Sequence, residues 1–302
     1  MMEKSGTGAS HGQTAYRPAR IASVDTHAHV FERGLPLVRQ RRYAPGYDAP
    51  LDAYLAQLDT RGVSHGVLVQ PSFLGTDCSY LLDALRRAPQ RLRGVAVIER
   101  DCHIDALTEM ARAGIAGIRL NLIGHADLSL DRWVSAQTLA HVRALKWHVE
   151  VHAEAARLPR IVEPLLDAGV NVVVDHFGRP DPDSGVRDAG FRRLLELAET
   201  RRVWVKISAA YRNRRQLRPN DDDAHEAFRL LKAAFGLHRL MWGSDWPHTQ
   251  FEADESFAHA LALLRALLPV DEERKVVLAD TPARLYMFEK CDSPGALQGK
   301  VG

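Results

Sequence analysis

Cysteine is scarce in this sequence. Cys78, Cys102 and Cys291 are the only three in 302 residues, and none stands in a C-x-x-C spacing. That excludes a disulfide framework and a cysteine zinc site, and it predicts a reduced, cytoplasmic setting. No apolar run reaches the ~18–20 residues of a membrane span. The first twenty residues are polar and rich in Gly and Ser, without the apolar stretch of a signal peptide. Residues 1–20 read as a flexible leader and 291–302 as a tail. Net charge is also small: 40 Lys and Arg against 38 Asp and Glu give +2. Such a balance leaves no footprint for nucleic acid or an anionic membrane. The first apolar run ends without the G-x-G-x-x-G turn of a doubly wound nucleotide fold.

Histidine, by contrast, is plentiful, with 14 against 9 Phe, 7 Tyr and 5 Trp. The hydrophobic share of 46% is enough for a large core. Eight short runs rich in Val and Ile recur along the chain, starting near Ile21, His65, Arg93, Ala116, His148, Asn171, Val203 and Leu240. Several are almost continuously apolar, as strands buried on both faces must be. Stretches with helical spacing separate them. Leu51, Tyr54, Leu55 and Leu58 follow the i, i+3, i+4, i+7 rule behind Asp48 as N-cap candidate. Phe191, Leu194, Leu195 and Ala198 repeat it, as do Phe257, Leu261 and Leu264 before Pro269. Asp271, Glu272 and Glu273 mark the acidic first turn of one more helix. Eight strand–helix units without an internal linker predict one (β/α)8 TIM barrel over residues 21–290.

In such a barrel the active site lies where the strands end. His27 and His29 close the first run, and a period of two aims both side chains to one face. His152 ends the fifth run, His176 the sixth and Asp245 the eighth. Four imidazoles and a carboxylate at one rim suit a single divalent ion. His65 begins its run and belongs to the opposite, stabilising end. His141, His225, His238 and His259 fall in helices or connections, and His248 follows Asp245 closely enough to support it. The face of Lys206, midway along the seventh run, stays open.

The stretches DTHAHVF at the first strand, HFGRP at the sixth and GSDWP at the eighth resemble the amidohydrolase superfamily, in its amidohydrolase-related (amidohydrolase 2) branch. RRYAPGYDAPLDAYLAQLDTRGV and VQPSFLGTDCSYLLDAL are similar to the lactonases of that branch, the pyrone-dicarboxylate type. The resemblance implies hydrolysis of a small carboxylated or sulfonated lactone from aromatic or sugar-acid breakdown. It implies His27, His29, His152 and Asp245 as metal ligands, with Asp245 and His176 catalytic. Arg119 and Arg212 match arginines that grip substrate carboxylates, and Tyr43, Ser72 and Tyr211 are candidate hydrogen-bond donors. One departure stands out. The pyrone-dicarboxylate type ends its fifth strand without a histidine, and some members work without a tightly held metal. His152 completes a set for Zn or Mn, while metal-free catalysis stays open. A further arginine of that type, after strand four, has only a poor match in Arg132. The expected partner is a small anionic substrate, with no nucleic acid or membrane and a possible homo-oligomer. The rival readings are a metal-dependent decarboxylase of the same superfamily and a non-catalytic barrel that binds small acids.

Overall fold

The eight apolar runs form eight parallel strands in one sheet whose spatial order is the chain order. They are β1 (Val24–Ala28), β2 (His65–Val69), β3 (Leu92–Ala96), β4 (Ile115–Asn121), β5 (His148–His152), β6 (Asn171–Val174), β7 (Val203–Ser208) and β8 (Leu240–Gly243). The computed structural model describes residues 21–214 and 221–288. The expected leader, the tail and Cys291 lie outside the described residues. Ala28 pairs in parallel with Trp246 just beyond β8, which brings the last strand back to the first. The fold is the expected (β/α)8 barrel. Among the described residues, no helix is long and apolar enough to cross a membrane.

Alternation along the later strands sorts their side chains into two populations. Val149, Val151, Val172, Val174, Val205, Ile207, Leu240 and Trp242 face outward into the main core beneath the helices. Each such side chain contributes roughly 1.5–3 kcal/mol on burial. Val67, Val95, Val173 and Met241 point inward and pack with Tyr286 and Phe288, which plug the base of the barrel. Above that apolar plug the inward positions turn polar: Glu150 and His152 on β5, Lys206 and Ser208 on β7, Arg119 on β4. Register holds them level, with Arg119 beside Glu150 and Asn121 beside His152.

The helices follow their sequence signals closely. Leu51–Arg61, Ala189–Glu196 and Phe257–Leu267 carry the expected apolar stripes, and Asp271–Lys275 has the acidic first turn. The N-cap at Asp48 is a correction. Pro50, extended at φ −73° and ψ 162°, precedes the first helix, because its fixed φ suits a helix start. The Asp48 carboxylate instead accepts from the backbone N and Nε of Arg33, at 2.6 and 3.1 Å. His65 is buried at the base against Phe288, as its place at a strand start predicted.

Candidate active site

The seam between β1 and β8 builds the centre of the site. Asp245 N donates to His27 O and His29 N donates to Trp246 O, both at 2.8 Å. Asp25, buried beneath, accepts from Ser244 N at 2.7 Å and Ser244 Oγ at 2.6 Å. Burial raises the Asp25 carboxyl to about 6, and these donors only partly offset it. Gly243 has no side chain because none fits: a Cβ there would lie 2.6 Å from His27 Cβ. The strands therefore approach closely enough to set His27 and Asp245 side by side.

Three imidazole nitrogens gather on one carboxylate oxygen. Asp245 Oδ1 lies 3.6 Å from His27 Nε2, 3.7 Å from His29 Nε2 and 4.0 Å from His176 Nε2. The other oxygen, Oδ2, is held by the Tyr211 hydroxyl at 2.5 Å and Arg212 Nε at 2.8 Å. Burial alone would raise the Asp245 carboxyl, but Arg212 and the histidines outweigh it and hold it well below the usual range. Burial, reinforced by Lys206 for His27 and by Arg119 for His29, lowers those imidazoles to about 3 and about 4. They stand neutral, as metal ligands must. Val69 O sits 2.7 Å from His29 Nδ1, so that nitrogen carries the proton and Nε2 offers its lone pair to the site.

His176 follows β6 in a strained turn. His176, Phe177, Gly178 and Arg179 all adopt positive φ, between 51° and 81°. Such conformations cost of order 1–3 kcal/mol at a non-glycine residue and persist only where surroundings over-determine them. Here Asn213 Nδ2 donates to His176 O at 2.9 Å, and Ser208 Oγ meets His176 Nδ1 at 2.8 Å.

Below this layer lies a charged floor absent from the sequence-based set. Lys206 Nζ bonds Glu150 Oε2 and lies 3.1 Å from His27 Nδ1 and 3.7 Å from Asp175 Oδ1. His27 Nδ1 in turn faces Asp175 Oδ1 at 3.3 Å, an acceptor for its proton that leaves Nε2 free for the site. Lys206 therefore faces the barrel interior. Burial, then Asp175, raises Glu150 to about 7. Burial would raise Asp175 too, but His27 and Lys206 outweigh it and keep it ionised. Glu150 and Lys206 stand two residues before strand-end polar residues, His152 and Ser208, and that spacing was the available signal. Asp175 adjoins His176 in sequence.

A cavity of about 230 Å³ opens above the histidines. Arg119, Arg212, Tyr43 and Ser72 line it, with His29, His152, His176 and Asp245. Two expected donors are otherwise engaged. Tyr211 gives its hydroxyl to Asp245, and Tyr43 donates to Glu252 Oε1 at 3.1 Å. Arg119 pairs with Asp175 Oδ2 at 3.1 Å and meets His152 Nδ1 at 3.4 Å. A guanidinium only donates, so His152 Nδ1 accepts and its proton sits on Nε2. His248 is buried and reaches the Tyr211 hydroxyl at 3.5 Å, a supporting contact. Arg132 sits away from the cavity and pairs with Asp127. Arg42 and Arg179 also line the cavity, and both escaped sequence reasoning.

The residues present fit a divalent ion. The ligand atoms of His27, His176 and Asp245 form one compact group, and His27 Nε2 and Asp245 Oδ1 are buried without a hydrogen-bond partner. Two ligands about 2.1 Å from a shared tetrahedral ion lie roughly 3.4 Å apart, close to the separations seen here.

A parallel barrel with histidines and an aspartate gathered at its carboxyl rim is an enzyme scaffold whose residues fit a divalent ion. The amidohydrolase family model matches residues 24–288, and the chain belongs to that family. It is 32% identical over 268 residues to the 4-sulfomuconolactone hydrolase of Rhizobium radiobacter, spanning 87% of this chain and 89% of that one. It is 28% identical over 278 residues to the 2-pyrone-4,6-dicarboxylate hydrolase of Comamonas testosteroni, spanning 89% and 91%. A solved structure from Pseudomonas putida, assigned as a 2-pyrone-4,6-dicarboxylic acid hydrolase, is 48% identical with a TM-score of 0.82. It covers 89% of this chain and 98% of that one. The relatives named here are ester-bond hydrolases that open lactones.

Proposed function

We propose that this protein hydrolyses a small anionic lactone at the Asp245 rim, in the cytoplasmic breakdown of aromatic or sugar acids. The observation that carries the reading is the asymmetry of Asp245. Oδ2 is fastened by Tyr211 and Arg212, while Oδ1 is buried, unpartnered and turned toward His27, His29 and His176. The kinship with lactone hydrolases supports the same chemistry.

His27, His29, His176 and Asp245 would hold one divalent ion, Zn or Mn, since imidazole and carboxylate suit both. When bound, such an ion would lower the pKa of water to about 7 and polarise a carbonyl. The chain's own residues supply the rest. Asp245, kept ionised by Arg212, accepts the proton of the attacking water at Oδ1. The water oxygen bonds to the lactone carbonyl carbon, the ring C–O bond breaks, and the departing oxygen takes up a proton. His152 presents Nε2–H to the cavity and stabilises the carbonyl oxygen as it gains charge. Arg119 and Arg212 line the floor and orient a ring carboxylate through their remaining N–H groups. Ser72 adds a donor at the cavity wall.

The test is a panel of carboxylated lactones and aromatic acids incubated with the purified protein, following proton release and CO2. Ring opening with proton release is the expected result. CO2 evolution without ring opening would overturn it in favour of a decarboxylase.

A further inference from the structure

Charge around the cavity does not cancel. Arg119 pairs with Asp175, Arg212 with Asp245 and Lys206 with Glu150. Two guanidiniums remain. Arg42, on the loop between β1 and the first helix, reaches only Asn121 Oδ1, at 3.3 Å. Arg179, on the strained turn after β6, uses Nη1 on Arg212 O and on Asn213 Oδ1 at 2.9 Å, and its buried Nε has no partner. Neither forms an ion pair with a carboxylate among the described residues. Both feel burial and the other cavity arginines, which lower Arg179 to about 10 and shift Arg42 in the same direction. An anion between them relieves that repulsion.

Arg42 is placed rather than dangling. Its stem runs beside Gly124, where a Cβ would meet Arg42 Cδ at 3.7 Å, an ordinary contact distance. The adjoining Tyr43 and Tyr47 both donate to Glu252, which ties this loop to the segment after β8. The loop after β4, by contrast, sends Arg132 outward.

We propose that Arg42, which lines the same cavity as Arg179, is the specificity-determining cation for a second anionic group on the substrate, a carboxylate or sulfonate. The inference rests on the lactone reading of the site for the first anion only. A fork of charge-assisted hydrogen bonds to one more carboxylate favours the dianion by about 10–100-fold over the monoanion.

Two measurements test it. The first is kcat/KM for 2-pyrone-4,6-dicarboxylate against 2-pyrone-6-carboxylate, in wild type, Arg42→Gln and Arg42→Lys. The wild-type preference should fall by about 10–100-fold in Arg42→Gln, mainly through KM of the dianion, with Arg42→Lys between the two. A loss shared equally by both lactones would mean a structural role and overturn the proposal. The second is calorimetric binding of isophthalate against benzoate, which needs no turnover. Wild type should prefer isophthalate and Arg42→Gln should not. Equal affinities in wild type, or a preference that survives the substitution, would overturn it. If neither pyrone is hydrolysed while the isophthalate preference behaves as expected, the lactonase reading fails and the anion subsite stands.

Discussion

Nζ of Lys206 stands 3.1 Å from Nδ1 of His27, so the floor of the barrel touches the centre of the site directly. The same ammonium lies between Glu150 and Asp175, all of them fully buried. Two carboxylates and two cations, Lys206 and Arg119, share this dry interior and are stable only as a set. Lys206→Met should cost about 3–5 kcal/mol, because it removes the only cation in direct hydrogen-bond contact with Glu150 among the described residues. Adding Glu150→Gln should recover part of the loss. Urea unfolding of the single and double variants reads both effects. An unchanged midpoint in Lys206→Met would show that the ammonium is not what offsets the acids.

Asp245→Asn keeps the size of the side chain and its contacts with Tyr211, but removes the proton acceptor. Its kcat/KM should fall by at least ~10² at temperatures where the variant stays folded, although Arg212 loses its buried partner and the thermal midpoint drops. Turnover within a few-fold of wild type would refute the assigned role.

Metal content separates the imidazoles. His27→Ala should lower the bound Zn or Mn per chain after dialysis. His152→Ala should keep the stoichiometry while turnover drops, because Arg119 directs the His152 proton to Nε2. Atomic absorption beside steady-state rates gives both readings. A loss of metal in His152→Ala would make that residue a ligand.

Gly243→Ala tests the seam. A methyl group 2.6 Å from His27 Cβ and 3.0 Å from His27 N has no room without moving a strand. Overpacking of this kind costs about 1–3 kcal/mol. Activity should fall more than stability, since the displaced residue is His27 itself. Crystallography of the variant would show whether β1 moves.

The pH dependence of stability follows from histidines outside the centre. Burial, then Lys206, lowers His148 to about 3, and burial, then Arg91, lowers His65 to about 4. Below about 6.5 the unfolded chain binds protons at these positions while the folded one does not, so stability falls as pH drops from 6.5 toward 4. Asp25, raised to about 6, and Glu150, raised to about 7, work in the opposite direction, but the buried histidines with lowered values, His27, His29 and His248 besides these two, outnumber them. His148→Phe should shrink the loss of stability between pH 7 and pH 5, measured by urea midpoint. An unchanged loss would remove His148 from the account.

Much of this architecture was legible because it is local. Apolar runs of five or so residues, each closed by a polar residue, located every strand and placed His27, His152, His176 and Asp245 at one rim. Lys206 resisted because VWVKIS belongs to a strand covered on both sides, where neighbours give no clue to which face is inside. Only its level with Met241 across the β7–β8 pair, and the polar layer around it, show that it points inward. Arg42 resisted for another reason. It sits on a long irregular loop, and no periodicity says that the chain there folds back over the mouth. Asp48 misled because its residue type fits a cap, whereas the proline two residues later sets the start.

The meeting of β1 and β8 also bears on how the protein matures. His27 and Asp245 are separated by nearly the whole chain, yet their backbones are joined by one hydrogen bond. An incomplete ring of strands leaves His27 without Asp245 beside it. A nascent chain still lacking its last strand is thus catalytically silent, whatever its other strands have done. Appearance of turnover during refolding should report ring closure itself, later than the recovery of helical signal and independent of it.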